Sequence, residues 1–384
     1  MSHTAEWEKL VKSQLKTDDI AASLSKENLE GLKVQPYYSG EWQQLPNLLK
    51  VEESTQLVSK YSDSLDYNVF AVLIDGNVEG LFEKSVFIDN ADLAVHIMAE
   101  EENTYYSLAE PFDSATGEIN ALLVRQLLEK DFRKNLCVDV AFHQNCGASI
   151  THQLGIALAK TKDLLEEFGE DLLPKILYRI AVGPVYFFEI AKLRAFRLLF
   201  AQLAKEYGKD DRPYIFAETS LRNKAKNDEE NNLIRSTLEV AAAMIGGADA
   251  VYCNSFKMEN SSALSEEISF KQQIVLAYES IINVFEDAGN GSYYIADLTR
   301  QISEKAWQYF LEIEEDGGYT ASMKSGKIQQ QIYAHATEEQ RWVEEGRIKV
   351  IGVNLYPKLD KTKSVEDIYP SDILKPVRWA EMFE

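Results

Sequence analysis

The chain is short of several things, and each shortage removes a class of function. Cysteine is scarce: Cys137, Cys146 and Cys253 are the only three in 384 residues, at unrelated spacings and without a CxxC pair. Zinc-ribbon and dithiol redox chemistry therefore lack their ligands, and the thiols read as reduced. Positive charge is also short. Lysine and arginine number 40 against 62 aspartates and glutamates, a net charge of −22 that repels a phosphate backbone. The most basic stretch, Lys358 to Lys363 (KLDKTK), carries its own aspartate and reads as a solvated loop. No apolar run approaches the ~18 residues of a membrane span. The N-terminus, MSHTAEWEKL, lacks the apolar core of a signal peptide. A cytoplasmic protein without nucleic-acid or membrane contacts is the expectation. Internal repeats and low-complexity tracts are absent too.

What remains is an ordinary globular composition, 45% hydrophobic and 27% charged. Its length suits one domain of about 250 residues with an extension, or two smaller domains. Short β-branched or aromatic runs alternate with longer amphipathic segments. Strands are expected at Val69 to Ile74, Ser85 to Ile88, Ala94 to Met98, Cys137 to Phe142, Leu177 to Val182, Tyr214 to Ala217, Ala250 to Cys253 and Lys349 to Val353. Eight strands separated by helices predict a parallel barrel wrapped by helices.

The helices are easier to place. Leu233, Thr237, Val240, Ala241, Met244 and Ile245 share a face, with Asn231 or Asn232 as N-cap and Gly246-Gly247 as stop. Ile302, Ala306, Tyr309 and Ile313 repeat the pattern before Gly317-Gly318. From Tyr186 to Tyr207 apolar residues cover more than one stripe, predicting a helix buried on two sides, by packing within the barrel or at a subunit interface. Residues 1 to 60 break the rhythm: an amphipathic helix with Trp7, Leu10, Val11 and Leu15 precedes proline-broken extended chain. Such an arm must lie on the barrel or on a partner.

His143 follows an apolar run, hence the carboxyl end of a barrel strand, where an imidazole could bond a thioester carbonyl or donate a proton. In YCNSF (252–256), Asn254 suits a loop role of satisfying backbone groups. Arg194 and Arg197, three apart with Glu189 and Lys192 before them, read as surface charge pairs worth about 0.2–0.5 kcal/mol. The turn GNGSYY (289–294) leads into the next helix.

The ordered series FFEIAKLRAFRLL (187–199), NNLIRSTLEVAAAMIGGADAVYCNSF (231–256), GNGSYY, LEIEEDGG, VIGVNLYP and LKPVRWAEMFE resembles the acyl-CoA-binding barrel of methylmalonyl-CoA mutases. The resemblance runs from Val138 to Val353, recurs at Trp7 to Tyr38 and Pro376 to Glu384, and is weak from Gly40 to Leu136. It implies a (β/α)8 TIM barrel over residues 61–360, an N-terminal arm over 1–60 for subunit contacts, and a C-terminal tail, 361–384, leading out of the barrel. It places His143, Arg194, Tyr252 and Asn254 at the positions of substrate-facing groups, His143 being a vestigial catalytic candidate.

The departures carry more weight. Active chains read close to SGYH where this one has VAFH, and often carry histidine where Tyr252 stands. Their TIRQYAG-like and TIQND-like stretches, the source of an arginine for the substrate carboxylate, give way to GEWQQLPNLL and EENTYYSLAEPFDSATGE. A buried carboxylate without a paired cation is costly, so methylmalonyl or succinyl groups are expected to bind poorly. None of His3, His96, His143, His152 and His335 has an aspartate two positions before it, as the family's Asp-x-His-x-x-Gly cobalamin signature requires. The chain is expected to lack a cobalamin-binding domain. The pattern therefore resembles the small, or beta, subunit of a two-chain member: a degenerate barrel without cofactor or metal, supporting a large alpha subunit that holds adenosylcobalamin and isomerises succinyl-CoA. Expressed alone, it is expected to pair with itself. The alternative is a stand-alone acyl-CoA-binding or acyl-CoA-converting barrel without cobalamin.

Overall fold

A computed structural model of the chain describes residues 3–25, 27–38, 45, 48–62 and 71–384. Eight parallel strands run β1 (Gln56–Lys60), β2 (Ala71–Ile74), β3 (Ser85–Ile88), β4 (Thr104–Ser107), β5 (Leu136–Asp139), β6 (Ile176–Val182), β7 (Tyr214–Thr219) and β8 (Ala250–Tyr252). Their spatial order is β4-β3-β2-β1-β8-β7-β6-β5. Pairing of β1 with both β2 and β8 curls the sheet round. At the remaining seam Ser107 N donates to Lys134 O at 2.9 Å and Arg133 N to Tyr105 O at 2.9 Å. The result is a nearly closed (β/α)8 TIM barrel.

Helices come in chain order. The arm holds α1 (His3–Leu15) and α2 (Ile20–Leu24); α3 (Ala91–His96) and α4 (Ala121–Leu128) follow β3 and β4. After β5 come the single turn α5 (Ala141–Asn145) and α6 (Ile150–Phe168). Next, α7 (Tyr186–Glu206), α8 (Asn231–Ile245) and α9 (Ala263–Ile274) follow β6, β7 and β8. An outer group, α10 (Tyr293–Glu315), α11 (Tyr319–Lys324), α12 (Lys327–Glu344) and α13 (Val365–Ile368), completes the chain. Among the described residues no helix is long and apolar enough to cross a membrane.

Strand alternation makes two cores. Outward residues such as Val72, Val86, Val138, Ile180 and Ala217 pack under the helices. Inward residues such as Leu73, Phe87, Tyr106, Leu177 and Phe216 fill the barrel. From Phe188 to Arg197 the long helix α7 is buried on every face, Glu189, Lys192, Arg194 and Arg197 included, and it packs within the chain against α10, α8 and α6.

Six expected strands stand: Ser85 to Ile88 keeps both ends, the first ends at Ile74 as expected while its residues 69 and 70 lie outside the described residues, and the other four have shifted ends. Ala94 to Met98 is instead the end of a helix and its exit: Asn90 Oδ1 accepts from Leu93 N at 3.0 Å, an N-cap that commits Ala91 to His96 to α3, and Ile97 turns extended as the C-cap. Lys349 to Val353 forms no strand, because Gly352 sits at φ 81° in a turn closed by its own N–H to Leu355 O. The barrel takes β1 and β4 in their place. Thus β1 falls in the segment expected to be arm. The proposed asparagine cap of α8 is also corrected: Asn232 instead ties the preceding loop, bonding Ala225 N, Ala225 O and Phe256 O at 3.1, 2.8 and 2.9 Å.

The end of the chain does not lead outward. Val377 N donates to Asn145 O at 3.0 Å and Trp379 N to Arg222 O at 2.8 Å, folding residues 376–384 over the carboxyl ends of β5 to β7. The arm docks as well: Gln301 on α10 bonds the backbone N–H and C=O of Lys33 at 2.8 and 3.0 Å. By contrast Leu10 and Leu15 on α1 lie exposed.

Candidate functional site

In a barrel of this kind chemistry gathers at the carboxyl ends of the strands, so the inward layers leading to that mouth matter most. Below it the space is filled by rings. Phe87 stacks on Tyr106 with centroids 4.5 Å apart, Phe216 lies 5.0 Å from Phe87, and Tyr214 lies 5.1 Å from Tyr106. All four are buried, and each pair adds about 0.5–1.5 kcal/mol beyond its buried area.

The next inward position on β6, two residues beyond Leu177, is Arg179. Its Nη1 meets Asp89 Oδ1 at 2.8 Å, while Nε and Nη2 meet Glu218 Oε2 at 2.8 and 2.7 Å. Burial works against this charge, but the carboxylates of Glu218, Asp139 and Asp89 outweigh it and hold the guanidinium well above its ordinary pKa. An ion cluster therefore lies across the mouth, above a lumen packed with aromatic rings.

His143 sits on α5, one turn beyond β5, and is 1% exposed. Its Nε2 lies 3.1 Å from the hydroxyl of Tyr319 on α11. Behind that ring, Lys160 Nζ lies 5.0 Å from its centroid and bonds Glu110 Oε2 and Asp139 O, both at 3.0 Å. Burial, helped by the Lys160 charge, holds the His143 imidazole well below its usual range, and burial pushes the Tyr319 hydroxyl up to about 12. A neutral imidazole bonded to a neutral phenol is a packing contact. It is not a ready acid.

Tyr252 ends β8 and is 6% exposed, with its hydroxyl 3.4 Å from Glu266 Oε2. Burial, then Glu266, raises its pKa far above the usual phenol value. Asn254 donates through Nδ2 to Thr219 O at 2.7 Å and through its backbone N–H to Thr219 Oγ1 at 3.0 Å, the loop role expected of it. Arg194 and Arg197 are buried rather than on the surface, which corrects the charge-pair reading. Arg194 is held by Asp287 through Nε and Nη2 at 2.8 and 3.0 Å and by Thr299 at 3.2 Å. Arg197 binds Gly247 O and Asp249.

The four candidates thus do not share one cavity's functional groups: each is committed to partners inside the chain. The residues that define the mouth, Asp89, Arg179 and Glu218, were missed. Their signal was available, since each is a charge on or directly beyond an apolar strand, in phase with that strand's inward side chains. Among the described residues no group of three or more His, Cys, Asp or Glu is placed to hold a metal ion.

Comparison with known proteins adds independent information. The model of the family described as methylmalonyl-CoA mutase matches residues 130–375. A methylmalonyl-CoA mutase small subunit from Porphyromonas gingivalis is 35% identical over 226 residues, covering 56% of this chain and 37% of that protein. A probable small subunit from Mycobacterium bovis is 29% identical over 285 residues, 70% of this chain and 45% of that protein. A methylmalonyl-CoA mutase from Rhizobium meliloti is 26% identical, over 71% of this chain and 39% of its own length. The aligned region spans less than half of each of these relatives.

Proposed function

The chain belongs to the methylmalonyl-CoA mutase family, and from that premise we propose that it is the non-catalytic small subunit of a two-chain mutase. Its partner, on this reading, is a large subunit that carries adenosylcobalamin and interconverts succinyl-CoA and (R)-methylmalonyl-CoA in propionate metabolism. The names of the Porphyromonas and Mycobacterium relatives support the subunit assignment. The observation that carries the non-catalytic role is the ion cluster of Arg179 with Asp89 and Glu218 above the aromatic-filled lumen. An acyl group entering that mouth has to displace paired, largely buried charges, and doing so costs several kcal/mol.

The cofactor belongs on the partner because the histidines described here do not suit it. His143 is enclosed, the half-buried His152 accepts from Ser149 N through Nδ1 at 3.4 Å, and His96 is turned back onto Asp92 O of its own helix at 2.7 Å. His335 borders a cavity of 380 Å³, at the small end for any ligand and too small for a corrinoid. A stand-alone enzyme using His143 gains no support from an imidazole committed to Tyr319. Three free, buried cysteines favour a reducing compartment, and we place the complex in the cytoplasm.

Co-expression with a mutase large subunit from the same organism, followed by sedimentation velocity, tests the assignment. A one-to-one complex is expected. Two chains sedimenting independently, at concentrations well above those in the cell, contradict it.

A further inference from the structure

Beyond the end of α9 the chain presents an apolar surface that no described residue covers. The helix runs on into a π-helical turn, Val275–Glu279, closed by Ser280 N to Val275 O at 3.1 Å. One side of this segment is pinned down. Ala277 is buried, Leu276 and Ile282 pack against the outer core, and Asn283 O accepts from Thr55 N at 3.0 Å and from Lys50 Nζ at 2.8 Å. The other side shows Val275, Tyr278, Ile281, Val284 and Phe285 to solvent. Because Thr55 immediately precedes β1, this surface lies at the amino-end rim of the barrel, opposite the mouth.

Single exposed apolar residues need no explanation, but these follow one another closely along one short segment and include two aromatics. Ile281 adds a second observation. Its φ is 55°, in the left-handed region where a β-branched side chain is strained and glycine is not. The side chain is 56% exposed, so packing inside the chain does not offset that strain. A backbone fixed from below that displays a strained side chain outward is a pre-organised contact surface, and such a surface loses little entropy when a partner arrives.

Charge narrows the choice of partner. Residues 275–286 carry two charged side chains, Glu279 and Glu286, both exposed and without an ion pair among the described residues. The cations around them are engaged: Lys50 is buried beneath the segment, Arg212 Nη1 donates to Lys50 O at 3.4 Å, and Lys271 pairs with Glu267. A second copy of the chain, itself at net charge −22, sets the same acidic rim against this one when two copies pair about a two-fold axis. The surface fits a different chain, one whose apolar patch is edged by lysine or arginine.

We propose that this surface is a docking site for the large subunit, with Tyr278, Ile281 and Phe285 at its centre and Glu279 and Glu286 at its edge. The proposal rests on the two-chain reading above and adds to it where the partner sits.

The full chain and its variants are mixed with the large subunit from the same organism and followed by sedimentation velocity. The parent is expected to assemble. Tyr278→Asp with Phe285→Asp weakens assembly at least about tenfold. Glu279→Lys with Glu286→Lys weakens it about fivefold at low salt and less at high salt. Ile281→Gly weakens it about threefold through lost contact area, yet its thermal transition does not fall below the parent's, because glycine removes the strain. That pairing separates a docking role from a folding one. No complex with the parent overturns the two-chain reading and this proposal together. A complex that the Tyr278 and Phe285 double variant forms as well as the parent overturns the docking site alone and leaves the two-chain reading standing. Self-association of the pure chain that the same double variant abolishes assigns the surface to a second copy and also contradicts the proposal.

Discussion

Arg179 gathers two carboxylates at the mouth of the barrel. On β6 it occupies the inward phase that Leu177 and Ala181 share, and it holds Glu218 and Asp89 together. Removing one member of such a buried group leaves the others uncompensated. Arg179→Met is therefore expected to lose about 3 kcal/mol of stability in urea unfolding, and adding Glu218→Gln to recover part of it. Equal stability of single variant and parent contradicts the reading of the cluster as a closure.

His143 gives a second residue-scale prediction. Folding holds its ring neutral and its pKa below the usual value, so the unfolded chain binds the extra proton once pH drops below about 6.5. That contribution is complete above this pH and is lost as pH falls. Relative to His143→Gln, the parent should lose about 1.4 kcal/mol per pH unit, or about 2 kcal/mol by pH 5. A stability difference independent of pH means that the ring titrates freely in the folded chain. At this scale the sequence was only partly legible. His143 was found because it ends an apolar run, but nothing local indicated that Tyr319, 176 positions away, covers it.

At the scale of elements, local chemistry reads well where a cap or an alternation is complete. The helix from Tyr293 to Glu315 is legible from its 3.6-residue pattern and the two glycines after it. Short strands read worse. In β1 (QLVSK) and β4 (TYYS), polar residues hide the pattern, and pairing with neighbours decides their state. Between helices, Gly155 lets α6 and α10 approach. A Cβ there would lie 2.6 Å from Tyr309 Cδ1 and 3.2 Å from Ala306 O. Gly155→Val is expected to destabilise the chain by about 1–3 kcal/mol through overpacking, measured by thermal unfolding; a neutral effect means that the helices separate freely. The arm makes the converse case. Leu10 and Leu15 lie exposed on α1 at 57% and 47%, so Leu10→Asp with Leu15→Asp should leave stability unchanged. If α1 packs on the large subunit, the same double variant weakens assembly about tenfold or more by sedimentation. Unchanged assembly removes the arm from the interface.

For the whole molecule, the barrel keeps a continuous outer core while ion pairs lie across its mouth and rings fill its interior. The sequence conveyed the fold and the family because both rest on long-range order of helices and strands. It did not convey the closed mouth, whose charges lie far apart in sequence and meet only when β3, β6 and β7 come together. A barrel that keeps its fold but closes its ligand entrance is suited to supporting another chain. Calorimetric titration of the purified chain with succinyl-CoA tests this most directly: the closed mouth predicts no saturable heat, and one-to-one binding of succinyl-CoA contradicts the account.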